Sequence, residues 1–306
     1  MSSLAEALTD YLTIRRRLGF KLEAVEGMLR NFIAYLEELG ERTVTTELAV
    51  AWARRPQGVH PSWWGARLST VRGFARHLQT IHPATQVPPL GILPARHQRA
   101  TPYLYSAGDL DALMAAARQL PCSHRAVTYA TLIGLLAVTG LRVGEAIRLD
   151  LDDIDWSEGL LTIRLSKFGR SREVVLHPTT VEALGAYARR RQQLRPRTSS
   201  FLVSTVGTRL ISQNVGVTFR ELVRQVGLQP RGGRARPRLH DLRHTFAVNT
   251  MLAWYRDGLE VPSRLHLLST YLGHLDPADT YWYLSASPEL LAFAGERLER
   301  TLGELP

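Results

Sequence analysis

The sequence predicts a mainly α-helical protein of two domains, with a small β-sheet in the C-terminal domain. Three observations carry the prediction. Apolar residues recur at helical spacing through most of the 306 residues. A stretch over 82–102, HPATQVPPLGILPARHQRATP, breaks that rhythm with five of the chain's 16 prolines. Two short apolar runs, 160–165 and 172–176, flank SKFGRS and read as a hairpin with a glycine in its turn.

Leu4, Leu8, Tyr11 and Leu12 mark a first helix, which Gly19 ends. Val25, Leu29, Phe32, Ile33 and Leu36 mark a second, over about 22–39. A third is expected over about 46–54. A fourth, over about 61–81, begins with Pro61, whose missing N–H is harmless in a first turn. Together they make a small bundle over 1–88. Proline removes backbone donors and opposes helix, so 89–100 reads as an extended linker. Its Arg96 and Arg99 suit a strap along a phosphate backbone. The second domain, 101–306, is expected to hold helices at about 106–119 and 125–138, then the hairpin. Further helices follow near 179–193, 213–226, 239–256, 263–271 and 288–301.

Composition narrows the classes of function. A net charge of +10 and a pI near 10.2 point to a polyanion, either nucleic acid or an anionic membrane surface. A solvated basic surface is the plain alternative. The longest apolar stretch, Thr128 to Leu141, is too short to span a bilayer and reads as a core helix. The N-terminus has no apolar signal core, so a cytoplasmic, nucleoid-associated protein is expected. The single cysteine, Cys122, cannot form an internal disulfide and is expected to be a small buried hydrophobe. Lysine is scarce: apart from Lys21 and Lys167, every one of the 38 Lys and Arg residues is arginine.

Four separated segments carry the candidate chemistry. TGLRVGEAIRL holds Arg142 after a glycine break and Glu145 one turn on. LSKFGRSREVVL holds Lys167 at the hairpin tip, and LHDLRHTFA holds His240 and Arg243 on one helix face. YLGHLDPADTYWYL holds His274 and Tyr283. Singly each has a bland reading: a surface arginine, a solvated lysine, a capped helix start, a core tyrosine. Jointly and in this order they closely resemble the tyrosine recombinase (phage integrase) family over about 100–290. Its signature is T-G-x-R-x-x-E/D, a hairpin lysine, H-x-x-R, and L-G-H followed by a tyrosine.

The resemblance implies an N-terminal helical core-binding domain for duplex DNA and a catalytic domain that cuts and rejoins DNA. The chemistry suits these residue types. Attack on a phosphodiester builds negative charge on oxygen, and two guanidiniums, Arg142 and Arg243, would clamp it. The family's spacing from the LGH histidine picks Tyr283 as nucleophile, with Tyr281 as the fallback. His240 would take the phenol's proton. Lys167 would protonate the leaving 5′-oxygen, which arginine cannot do. His274 would donate to a non-bridging oxygen, and Glu145 would orient Arg142 or His240 from behind. A covalent phosphotyrosine conserves the bond energy, so no cofactor and no ATP is expected. No metal is expected either: His240 and His244 lie four apart, but the glutamate of HExxH is missing.

Further DNA contacts are expected from Arg67, Arg72 and Arg76, beside Trp63 and Trp64 in the bundle. Others are expected from the basic loop of Arg231, Arg234, Arg236 and Arg238. Two domains on a basic linker suggest a C-shaped clamp around the duplex. The resemblance also implies a homotetramer on DNA, exchanging strands through a Holliday junction, and leaves accessory recombination proteins open. The apolar C-terminal helix, with Leu290, Leu291, Phe293 and Leu298, is expected to dock on a neighbouring subunit, with docking on its own domain as the alternative. Two other readings stay open here: a type IB topoisomerase-like enzyme, and an inactive DNA-binding regulator.

Overall fold

The structure, a computed structural model, describes residues 3–20, 22–94, 101–164, 171–231, 236–285 and 287–303, with only the backbone at 285, 294, 297, 298 and 300–303. The chain divides into two compact units, Met1–Arg99 and Ala100–Pro306.

The first unit is four helices: α1 (Leu4–Arg17), α2 (Glu23–Glu38), α3 (Thr46–Arg54) and α4 (Pro61–Gln79). Ser3 and Glu6 start α1 with a reciprocal capping box, each accepting the other's backbone N–H. Leu8, Leu12, Leu29, Phe32, Leu36, Trp52, Leu68 and Phe74 meet in the core. Trp52 is fully buried, edge-on to Phe32 at 5.1 Å, and its indole N–H donates to Asn31 at 3.0 Å. Truncating such a side chain to alanine costs ~3–5 kcal/mol. Val87 and Leu93, inside the proline-rich segment, pack on this same core.

Two expectations for this unit are corrected. Arg67 and Arg72 do not face outward. Arg67 lies flat over the Trp52 ring and donates to the Trp52 carbonyl at 3.1 Å. Arg72 donates to the carbonyls of Pro88 and Pro89 at 2.7 and 2.8 Å. Prolines lack an N–H, and these carbonyls find a donor in a side chain instead. Arg76 and Trp63 are exposed, and Arg96 and Arg99 lie outside the described residues.

The second unit is built on α6 (Ser123–Thr139), whose Leu132, Ile133, Leu135 and Leu136 are all buried. It packs against α5 (Ala107–Arg118), α8 (Pro178–Gln192) and α10 (Asp241–Arg256). A helix apolar on every side must be central, as the sequence implied. Among the described residues no helix is long and apolar enough to cross a membrane. Cys122 departs from expectation: it is exposed, because α6 begins only at Ser123 and leaves it in the preceding loop.

The sheet has three antiparallel strands in the order β1 (Ile154–Asp155), β2 (Leu160–Ile163), β3 (Arg172–Val175). β1, two residues long, escaped the sequence reading. Ile163 pairs with Arg172. Lys167, in the stretch joining β2 to β3, lies outside the described residues. The remaining helices are α7 (Val143–Arg148), α9 (Ser212–Val226), α11 (Val261–Leu272), α12 (Ala278–Tyr281) and α13 (Pro288–Gly303). A 3-10 turn, Trp282–Ser285, joins the last two. α13 lies on α10 of its own unit, with Leu290 buried and Phe293 stacked on Tyr255 at 5.5 Å.

Candidate active site

Chain breaks at glycines bring the site together. Gly140 ends α6 at φ +61°, where a Cβ would come within 2.5 Å of Phe246. The turn lets Arg142 leave α6 and cap α7. Its N–H donates to Glu145 Oε2 at 3.0 Å and its Nη1 to Oε1 at 2.9 Å. Its Nη2 donates to the Gly273 carbonyl at 3.1 Å, joining α7 to the end of α11. Gly273 is left-handed too, at φ +69°.

Glu145 is 3% exposed and holds a second arginine that the sequence reading did not single out. Arg172, at the start of β3, donates Nη1 to Oε1 at 3.1 Å and Nη2 to Oε2 at 2.8 Å. Its Nε donates to the Tyr271 carbonyl at 2.8 Å. Its guanidinium lies against Gly273, where a Cβ would approach Nη1 to 2.9 Å. Burial alone would raise the Glu145 carboxyl, but Arg172 and then Arg142 overrule it and hold it at about 2.

From α10, Arg243 reaches the same place and is 1% exposed. Nη1 donates to the Gly140 carbonyl and Nη2 to the Leu272 carbonyl, both at 2.7 Å. Burial, then the Arg142 charge, brings it down to about 10, so it stays protonated at neutral pH. His240 begins α10 with its surface open to solvent. Desolvation of its ring, then the charges of Arg243 and Arg142, lower it to about 4.

His274 follows Gly273. Its Nδ1 lies 2.7 Å from the hydroxyl of Thr280, which is 1% exposed. Burial, then Arg243 and Arg142, lower it to about 4 as well. A Thr280 hydroxyl that donates to Nδ1 would leave the ring proton on Nε2, where it could be given to another acceptor. Tyr283 is 2% exposed, with its ring 5.9 Å from that of His274. Burial raises its phenol, while Arg243 and Arg142 pull the other way. Tyr281, by contrast, is 52% exposed.

Arg142, Glu145, His240, Arg243, His274 and Tyr283 therefore converge from separate segments. Arg172 and Thr280 join them; an arginine opening a strand and a threonine in a four-residue helix carry no signal of their own in a single sequence. The basic loop is more constrained than expected. Arg238 chelates the buried Asp241, with Nη2 to Oδ1 at 2.7 Å and Nε to Oδ2 at 3.1 Å. Arg231 donates to the Leu104 carbonyl and to Asp109. Arg236 is exposed, and Arg234 lies outside the described residues. Among the described residues no three His, Cys, Asp or Glu side chains gather in a way that could hold a metal ion.

Residues 105–289 match the phage integrase family. The putative integrase/recombinase y4rB of Sinorhizobium fredii is 46% identical over 308 residues, covering 98% of each chain. The tyrosine recombinase XerC of Azotobacter vinelandii is 30% identical over 71% of this chain and 67% of its own. In fold, the chain is similar to the Tn1549 transposon integrase solved with transposon right end DNA. The TM-score is 0.67 at 16% identity, covering 98% and 99% of the two chains. A lambda integrase tetramer bound to a Holliday junction gives 0.64 at 18% identity, covering 92% and 77%. By family match and by near full-length relatives, this chain belongs to the phage integrase family, the tyrosine recombinases.

Proposed function

We propose that the chain is a site-specific DNA recombinase, of integrase or transposase type, that works through a 3′-phosphotyrosyl intermediate. The observation that carries this is the meeting of two arginines, two histidines and a buried tyrosine at the ends of α6, α10 and α11. Tyr283 attacks the phosphorus, and its proton passes to His240, whose lowered pKa keeps the imidazole neutral and able to accept. Arg142 and Arg243 take up the charge on the non-bridging oxygens, and His274 donates to one of them from Nε2. Lys167 protonates the departing 5′-oxygen. Glu145 holds Arg142 in place together with Arg172. Rejoining runs the same steps backward with a new 5′-hydroxyl. No bond energy is lost, so no nucleotide is consumed.

The first unit would bind duplex DNA as the core-binding domain. Arg76, Arg96, Arg99, Arg234 and Arg236 would meet phosphates, which position the protein without reading sequence. A homotetramer would assemble on paired sites, in the cytoplasm at the nucleoid. The test is recovery of covalent protein–DNA adducts from expressing cells after denaturation, with sequencing of the attached DNA. Adducts should form with the native chain and vanish in Tyr283→Phe. Adducts that persist in Tyr283→Phe would move the nucleophile to Tyr281.

A further inference from the structure

His244 stands one turn beyond His240 on α10, and none of the roles above uses it. Its ring meets three aromatic side chains edge to face: His240 at 4.8 Å, Trp282 at 5.3 Å and Tyr283 at 5.3 Å. Its Nδ1 is buried and has no hydrogen-bond partner among the described residues. Its Nε2 lies 3.9 Å from Asp241 Oδ1, too far for a direct hydrogen bond but within reach of the carboxylate's charge. Asp241 is fully buried and is itself fixed by Arg238, through Oδ1 at 2.7 Å and Oδ2 at 3.1 Å.

Phenylalanine would fill this aromatic cluster without stranding a polar atom, so packing alone is a poor reason for an imidazole here. Its nitrogens must supply the reason. With Nδ1 sealed away, the ring proton belongs on Nε2, facing the carboxylate. Burial keeps the ring neutral, at about 3. The Asp241 charge thus favours the ring orientation that turns the N–H toward it, and the ring in turn packs against its neighbours. Tyr283 needs such support, because it sits in a short 3-10 turn, a weakly bonded backbone.

We propose that His244 is a positioning residue for DNA cleavage: oriented by Asp241, it sets the spacing between the Tyr283 and His240 rings. It touches neither DNA nor the reacting atoms, and the inference rests on Tyr283 being the nucleophile. His244→Phe keeps the ring and removes the Nε2 donor, while His244→Gln returns an N–H near the same place. Each is compared with the native chain, His244→Ala and Tyr283→Phe, on duplexes taken from the sequenced adducts. Three quantities are read: single-turnover adduct formation at saturating DNA, DNA affinity and the thermal midpoint.

His244→Phe should bind DNA with a Kd within about twofold of native and form adducts about ten- to a hundredfold more slowly. His244→Gln should recover part of that rate. A His244→Phe chain that cuts at the native rate overturns the proposal. So does a loss of affinity and thermal midpoint in step with rate in both variants, the mark of a packing residue. If His244→Phe does not fold, His244→Gln decides alone: faster cutting than His244→Ala supports the tether, and equal cutting overturns it. Adducts surviving in Tyr283→Phe would instead remove the underlying nucleophile assignment, whatever His244 does.

Discussion

Replacing Glu145 by glutamine tests the electrostatics of the site at one atom. The amide keeps the shape and removes the charge that two guanidiniums face. The carboxyl is held at about 2, against 4.5 for a free glutamate. At 1.36 kcal/mol per pH unit, the fold favours the anion by ~3 kcal/mol. Removing one partner of a buried ion pair gives a similar figure independently, ~3–5 kcal/mol. Glu145→Gln should therefore lower unfolding free energy by about 3 kcal/mol at pH 7, read by urea titration of tryptophan fluorescence. The sign with pH follows from a depressed folded pKa. The stabilisation is complete above about 4.5 and is lost as pH falls through about 2. The native and variant curves should thus begin to approach below about pH 4.5 and meet only near pH 2. A loss under ~1 kcal/mol at pH 7 would rank Glu145 with ordinary exposed ion pairs and refute the reasoning. A gap that widens on acidification would refute it as well. With its tether gone, Arg142 should also stabilise the attacked phosphate less well, and adduct formation should slow.

The three histidines of the site should not titrate in the neutral range. His240 and His274 sit at about 4 and His244 at about 3, all below the usual 6.5. For a depressed histidine, stability is present above 6.5 and is lost as pH falls toward the folded value. Imidazole Cε1–H shifts of the free protein should stay flat from pH 5.5 to 8, and an inflection near 6.5 assigned to His244 or His274 would contradict the burial argument. In the first unit, Arg72→Ala should lose ~1–3 kcal/mol of stability, since the buried Pro88 carbonyl loses its donor. Its salt dependence of DNA binding should stay native. Arg76→Ala should do the reverse, lowering the log Kd–log salt slope by about 0.9 at unchanged stability. Equal effects from the two substitutions would mean that burial does not separate their roles.

Much of the fold was readable because it rests on periodicity. α2 and α4 show their apolar faces plainly, and α6, apolar on every side, announces a core. β1 was not readable, because two residues of strand leave no alternation to detect. The site divides along the same line. His240, Arg243, His274 and Tyr283 sit at spacings that mean something together. Arg172 and Thr280 gain meaning only from what the fold sets beside them, a carboxylate from α7 and an imidazole after Gly273. Arg67 and Arg72 were misread for the opposite reason. An arginine on an amphipathic helix usually reaches water, and a stacked ring or a pair of proline carbonyls is a tertiary fact. Cys122 failed by one residue, at a helix boundary.

The carbonyls that hold the site's arginines have a consequence of their own. Gly140 closes α6, and Leu272 and Gly273 close α11, so Arg243 and Arg142 rest on the C-terminal ends of two helices. Each such end carries roughly half a negative charge, spread over its unpaired carbonyls. A buried cation normally survives by pairing with a carboxylate, which reduces its field to that of a dipole. Arg243 is solvated by dipoles instead and keeps its full monopole. An arriving phosphodiester meets a charge that is already dry, already aimed and not neutralised. The carbonyls that hold Arg243 were set in place when the helices folded, so they need not reorient when negative charge builds on the phosphate.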